Sequence, residues 1–473
     1  MVRPEIAICP VCGKRTCLRI QVGGYLREYP IRVHCMNCRA LIKGTFIMGV
    51  PGFGGLHLVN ASTEAPNIDE KALIVKNADY VAEISGELPC RKVCLNGPGF
   101  VGHTPFLNAS EALESAKSVT ELNKRLQVFT KNMEEWRKRK SIAFQLLEEG
   151  SLDYLAIALD NKMGVYSYVC DHYLKSLHCL QELVLDETKY LFYRPNQTDC
   201  ITKIFEALTQ IQHDEIHQFA LRLGGITELV AAYRKMIEVV SQFMPLYPNL
   251  LPAETYMRYK KPDNSLGIAT CSFTDIKGFY QDSYESIASL LHIVICMDNM
   301  IHRGSYVNFS SSIINLFSSY NLYNKLKKMT DDYERYLALD NGYKINYIDQ
   351  AETFQGIIML PADKVLRNAI GHNNVTYDGL TQIITAHDRQ KSKTFSLMEM
   401  AIVCIGLVKS AILIAEIILF MLRIELRSDN IQSISHPWLY SGTGRNEKCP
   451  CGSNLKYKNC CMRDVENLET SKQ

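Results

Sequence analysis

The chain lacks an excess of charge of either sign. Its 473 residues carry 52 Lys and Arg against 50 Asp and Glu, so net charge gives no reason to expect nucleic acid, and any basic surface has to be local. No secretory leader is expected either, because Arg3, Glu5 and a cysteine knuckle stand where a signal peptide needs its apolar stretch. No uncharged apolar run approaches the ~18–20 residues of a membrane span. The most apolar segment, residues 400–422, is interrupted by Lys409 and Glu416 and reads as a buried helix of a bundle. Internal repeats are absent. The glycines at 52–55 and 97–99 make turns without the spacing or the lysine of a phosphate-binding loop. These absences exclude a secreted scaffold, a membrane protein and a nucleotide-driven enzyme, and they leave a cytoplasmic globular chain as the expectation.

Cysteine is plentiful, at 17 residues. Several, such as Cys170, Cys296 and Cys404, sit in apolar helical surroundings, as in a reducing compartment. Eight fall into two ordered patterns. In the first, Cys9-Pro-Val-Cys12 and Cys35-Met-Asn-Cys38 form two C-x2-C knuckles, each presenting two sulfurs at one turn. Residues 25–33 read as a hairpin that brings the knuckles together into a zinc ribbon. Cys17 is a spare thiol near this set. Cys90 and Cys94, a lone C-x3-C pair, read as ordinary thiols.

The second pattern closes the chain: Cys449-Pro-Cys451 and then Cys460-Cys461, spaced C-x-C-x8-C-C. Adjacent cysteines make poor disulfide partners, whereas two close pairs supply four thiolates to one tetrahedral ion. Arg445, Lys448, Lys456, Lys458 and Arg463 make the module basic and suited to an acidic partner. This stretch resembles the SEC-C motif. It departs from the family at Asn454, where glycine is usual, and Cys461 stands where the family carries Cys or His. The resemblance implies a zinc tail that docks on a protein or a ribosome. With four cysteines at each site no coordination position is open, so both Zn2+ ions are expected to be structural.

Composition divides the chain into a zinc ribbon at 1–50, a small β-rich segment at 51–107, a central helical region at 108–275, a helical bundle at 276–426, a linker at 427–444 and the zinc module at 445–464. Helical spacing is clearest at Leu122, Leu126, Phe129, Met133 and Trp136, beside a solvated basic run at 137–140. Helical texture continues through 155–192, 201–243 and 284–302. Prolines at 245–265 mark a break. The expected fold class is mainly α.

Chemistry is most concentrated at Arg367-Asn368-Ala-Ile-Gly371-His372, on a helix opened by Pro361. A guanidinium beside an imidazole suits phosphodiester cleavage, since His moves protons near neutral pH and Arg stabilises charge on phosphate oxygens. Arg and His five apart lie about 140° apart on a straight helix; Gly371 weakens the helix, so the imidazole is expected at a fraying end. Arg27 and His34, a looser pair, sit in the ribbon and read as structural. His213-Asp-Glu-Ile-His217 has the i, i+4 spacing of a zinc-protease helix, but Asp214 follows the first His and no third ligand is evident.

The Arg367–His372 segment resembles the HEPN superfamily, all-α domains whose R-[polar]-x3-H motif marks metal-independent ribonucleases, many in toxin and phage-defence systems. The resemblance implies a HEPN-like bundle over 276–426, with Arg367 and His372 catalytic, Asn368 orienting them, and a homodimer that completes the site in trans. It further implies an endoribonuclease acting on RNA or a ribonucleoprotein. The residues also permit an inactive bundle whose Arg367 and His372 form a hydrogen-bonded helix end. The whole chain would then be a non-catalytic interaction protein docking through its SEC-C tail.

Overall fold

The structure, a computed structural model, describes residues 2–23, 26–49, 55–64, 78–92, 95–96, 104–113, 200–320, 323–360, 364–427, 444–448 and 456–459, with single positions at 120, 142, 145, 149, 180, 181 and 462. Of these, 48 % are helical and 20 % lie in strands of four small sheets. The mainly α expectation is therefore corrected to a mixed fold. Residues 276–426 are not an all-helical, HEPN-like bundle, because a three-stranded antiparallel sheet interrupts them. The physical reason lies in residues 375–396, where Val375, Tyr377, Ile384 and Ala386 recur with period two among threonines. Such β-branched, alternating segments pair as strands. The apolar stripe at 122–136, most of the texture at 155–192 and nearly all of the 427–444 linker fall outside the described residues.

The chain divides into two compact units, each entered three times. The first comprises Met1–Asn132, Phe243–Gln281 and Asp363–Ile405, the second Met133–Gln242, Asp282–Ala362 and Gly406–Gln473.

All described strands belong to the first unit. In chain order they are β1 Val2–Ile8, β2 Arg15–Gln21, β3 Glu28–His34, β4 Leu41–Ile47, β5 Gly55–Leu58, β6 Ser62–Glu64, β7 Tyr80–Ser85, β8 Cys90–Arg91, β9 Leu95–Asn96, β10 Leu266–Gly267, β11 Val375–Asp378, β12 Ile383–Asp388 and β13 Lys391–Ser396. They form sheets ordered β6-β1-β2-β7-β9, β3-β4-β5, β10-β8 and β11-β12-β13. Pairing is antiparallel except between β2 and β7. β3 alternates strictly: Tyr29, Ile31 and Val33 are buried, and their neighbours are not. Residues 28–33 thus belong to one strand. The hairpin expected at 25–33 is replaced by two hairpins, β1–β2 and β3–β4.

Two sets of hydrogen bonds tie this unit's segments together. The backbone N–H of Arg32 donates to the Ala269 carbonyl at 2.8 Å. Gln382 accepts from the Ile268 N–H at 2.9 Å and donates to the Ile268 carbonyl at 2.7 Å, so its amide stands in for a strand partner. The helix Lys364–Gly371 packs on β12.

The second unit is helical among its described residues. Its turns carry ordinary caps: Asp331 accepts from the Glu334 N–H at 2.7 Å, and Gly224 ends the helix His213–Leu223 in the left-handed region. The helix Leu397–Arg427 begins in the first unit and belongs to the second from Gly406 on. By length and composition it could cross a membrane, but 89 % of its most apolar window is buried inside the protein, as in a core helix. Glu416 is fully buried there and accepts from Gln181 Nε2, while the Tyr233 hydroxyl donates to Gln181 Oε1 at 3.0 Å. A paired carboxylate of this kind can sit inside an apolar helix.

Candidate zinc centre and the arginine–histidine helix

Cys9, Cys12, Cys35 and Cys38 converge, with all four sulfurs within 4.8 Å of one another. Cys9 Sγ lies 3.4 Å from Cys38 Sγ, and Cys12 Sγ 3.6 Å from Cys35 Sγ. Tetrahedral zinc with Zn–S bonds of about 2.3 Å places its sulfurs about 3.8 Å apart. The donor set fits that ion. Two matching turns build it. In the first, between Ile8 and Arg15, the Cys9 N–H donates to the Lys14 carbonyl and the Gly13 N–H donates to the Cys9 carbonyl. In the second, between His34 and Leu41, Cys35 donates to Ala40 and Arg39 donates to Cys35 in the same pattern. Gly13 and Arg39 occupy the equivalent position with φ of 67° and 63°.

Each knuckle also aims an amide at its second sulfur. The Lys14 N–H is the main cause that lowers the Cys12 thiol to about 6. The Ala40 N–H likewise lowers Cys38, but burial and the three neighbouring sulfurs outweigh it and leave that thiol pushed up to about 12. Four thiols this close cannot all ionise alone; a divalent cation removes the conflict. The sequence reading brought these four cysteines together and missed these supports. Their signal is the fixed offset of Gly13, Lys14, Arg39 and Ala40 from the second cysteine of each knuckle.

The nearby thiols are different. Cys17 is buried against Ile6, Ala78 and Val81, and burial pushes it up to about 11. Cys90 is buried, and its Sγ contacts the Leu88 carbonyl; Cys94 lies outside the described residues.

At the C-terminal module, Cys449, Cys451, Cys460 and Cys461 are likewise outside the described residues. Around them, Lys448 and Lys456 pair as an antiparallel bridge, and the Tyr457 and Lys458 N–H groups donate to the Glu447 and Arg445 carbonyls. Arg445, Lys448 and Lys456 are exposed, while Tyr457 is buried.

On the helix Lys364–Gly371, Arg367 is half-buried and His372 exposed just past its end. Arg367 Nη1 donates to Asn368 Oδ1 at 3.0 Å, and Asn368 Nδ2 donates to Asp388 Oδ2 at 2.7 Å. The His372 N–H still donates to the Asn368 carbonyl at 2.9 Å. Helical winding therefore reaches the imidazole's own residue, and Arg367 and His372 keep the wide angular separation of a straight helix. Pro361 lies outside the described residues. His217 of the pair with His213 sits 2.9 Å from the buried Glu425 carboxylate, a bond within the helical unit.

Residues 445–463 match the family model of the SEC-C motif. That motif is a zinc-binding module, so the chain combines it with an N-terminal four-cysteine cluster that could bind zinc. No curated protein and no solved structure matches this chain.

Proposed function

We propose that this chain is a non-catalytic interaction protein, with a structural zinc at each end and a basic SEC-C tail that docks on an acidic face of a protein or ribonucleoprotein partner. The observation that carries the reading is the antiparallel bridge between Lys448 and Lys456, which sets two exposed cations side by side. Such a surface binds through short-range, salt-sensitive contacts. The experiment is co-sedimentation of the purified chain with ribosomes across a salt series. Binding lost in Cys449→Ser and Cys460→Ser, but kept in Arg367→Ala and His372→Ala, supports it. Equal sedimentation of all four variants refutes it.

A second reading is metal-independent RNA cleavage by Arg367 and His372. One observation favours it: the Asn368 amide spans Arg367 and Asp388, fixing the guanidinium while His372 stays open to solvent. The angular separation of the two side chains calls for a second copy to complete the site. Cleavage of RNA in the presence of chelator, absent from both Arg367→Ala and His372→Ala and restored by mixing the two variants, supports this reading. Cleavage that persists in either single variant sinks it.

A further inference from the structure

Beside the second knuckle lies an open cleft of about 500 Å³ that no role above uses. One wall is His34 and Arg39 of the knuckle; the other is the β11–β12 turn and the face of those strands that carries Thr376, Asp378, Ile383 and Thr385. The register places Thr376 opposite Thr385 and Asp378 opposite Ile383, so hydroxyls and one aliphatic group form a flat floor. The first knuckle has Gly13 where the second has Arg39. An arginine at positive φ is a strained choice, and here its side chain lines the cleft. Among the described residues Arg39 forms no ion pair, although the Asp378 carboxylate faces the same space.

Asp378 stays ionised. Burial pulls its carboxyl up, but the Thr381 hydroxyl at 2.9 Å, the Leu380 N–H at 3.2 Å and the charges of Arg39 and His34 together hold it below the usual range. The cleft thus offers a donor fork on one wall and an acceptor held by Leu380 and Thr381 on the other. A ligand that spans them presents acceptors on one side and N–H donors on the other, and it is flat enough for the floor.

We propose that this cleft binds the guanine of a nucleotide, free or within single-stranded RNA. Guanine carries O6 and N7 acceptors for a guanidinium on one edge and N1–H and N2–H donors for a carboxylate on another, all in one plane. Adenine presents a donor where O6 stands, and the pyrimidines lack the pair. The cleft volume lies within the ordinary range for small-ligand sites, and the threonine hydroxyls are placed for a sugar. Zinc enters as support: the knuckle that binds it also positions His34 and Arg39.

The test is calorimetric titration of the zinc-loaded full chain with GMP, AMP, glycine and a short single strand containing one guanine. GMP is expected to bind saturably and roughly ten-fold more tightly than AMP, the discrimination of one good bidentate contact. Arg39→Ala and Asp378→Asn should each weaken GMP about ten-fold while zinc content and melting temperature stay unchanged. A strand that binds more tightly than GMP identifies the source as RNA, and a strand that binds more weakly identifies it as free nucleotide. Equal affinity for GMP and AMP, saturable binding of glycine in place of GMP, or GMP binding untouched by both cleft variants overturns the proposal. Should either variant lose zinc, Thr385→Val, which leaves the knuckle intact, decides between the same outcomes.

Discussion

A Cβ added to Gly379 would fall on the imidazole of His34, closest to its Nε2. The ring has little room to retreat, since its Nδ1–H donates to the Arg39 carbonyl at 2.9 Å and it meets Tyr377 edge-on at 6.3 Å. A carbonyl only accepts, so Nδ1 carries the proton. Gly379→Ala must push the ring away and break the bond to the knuckle that holds Cys35 and Cys38. Overpacking of this kind costs about 1–3 kcal/mol. The expected outcome is a lowered melting temperature together with weaker N-terminal zinc binding, read by thermal denaturation and competition with a chromophoric chelator. An alanine variant that melts and holds zinc like the parent would show that the contact does not constrain the ring.

Metal content separates ligand cysteines from packing cysteines. The purified chain is expected to carry two zinc equivalents, and Cys12→Ser or Cys35→Ser to carry one. Cys17→Ser should keep both ions yet unfold more easily, because it buries a hydroxyl among Ile6, Ala78 and Val81. An unsatisfied buried hydroxyl costs about 1–3 kcal/mol. Elemental analysis with denaturant unfolding checks both halves. Full zinc content in Cys35→Ser would remove the N-terminal site.

The N-terminal four-cysteine cluster was legible because cysteine spacing is a local signal: a C-x2-C knuckle is one turn, and the turn folds the same way wherever it stands. The two hairpins that carry the knuckles were harder, since Tyr29, Ile31 and Val33 mark a strand but not which neighbour pairs with it. The mixed fold was hidden by the longest apolar stretch. Leu397–Arg427 dominates any hydropathy profile, and the resemblance carried by Arg367 and His372 implied an all-α bundle around it. Threonine-rich β11–β13 carry little apolar weight, so their period-two pattern stayed below notice. Cross-strand chemistry, such as His34 over Gly379, depends on residues far apart in the chain. No window along the sequence reveals it.

Glu87 gives the first unit a pH dependence. Its carboxyl is 1 % exposed, and burial is the main cause that pushes it up to about 7 against opposing hydrogen bonds from Tyr29 and Ser85. A carboxyl whose folded value exceeds its unfolded value holds its proton longer in the folded state. Its contribution is complete below the unfolded value of about 4.3 and is lost as pH rises through about 7. The loss amounts to about 4 kcal/mol, from 1.36 kcal/mol per pKa unit. Glu87→Gln, which keeps the shape and cannot ionise, should be more stable than the parent at pH 8 and similar at pH 4.5. Melting curves of both proteins at several pH values read this directly, and parallel curves would mean that Glu87 does not titrate between the two states.

Asn368 distinguishes a structural helix end from a catalytic one. Its amide accepts from Arg367 Nη1 and donates to Asp388 Oδ2, which the register sets opposite Lys391 across the β12–β13 turn. Asn368→Ala removes both of these bonds to half-buried charged groups. Hydrogen bonds to charged groups are worth about 1.5–3 kcal/mol each, less where solvent can replace them. The expected loss is therefore about 1–2 kcal/mol, visible as a lowered denaturant midpoint with an unchanged slope. If the helix is only a packed end of the sheet, Arg367→Ala and Asn368→Ala should lose similar stability, and His372→Ala, exposed and beyond the bond network, should lose almost none. If it cleaves RNA, His372→Ala should abolish cleavage while its midpoint stays at the parent value, and Asn368→Ala should lower cleavage further than its stability loss explains. The midpoint of His372→Ala set against its cleavage rate therefore decides between the two.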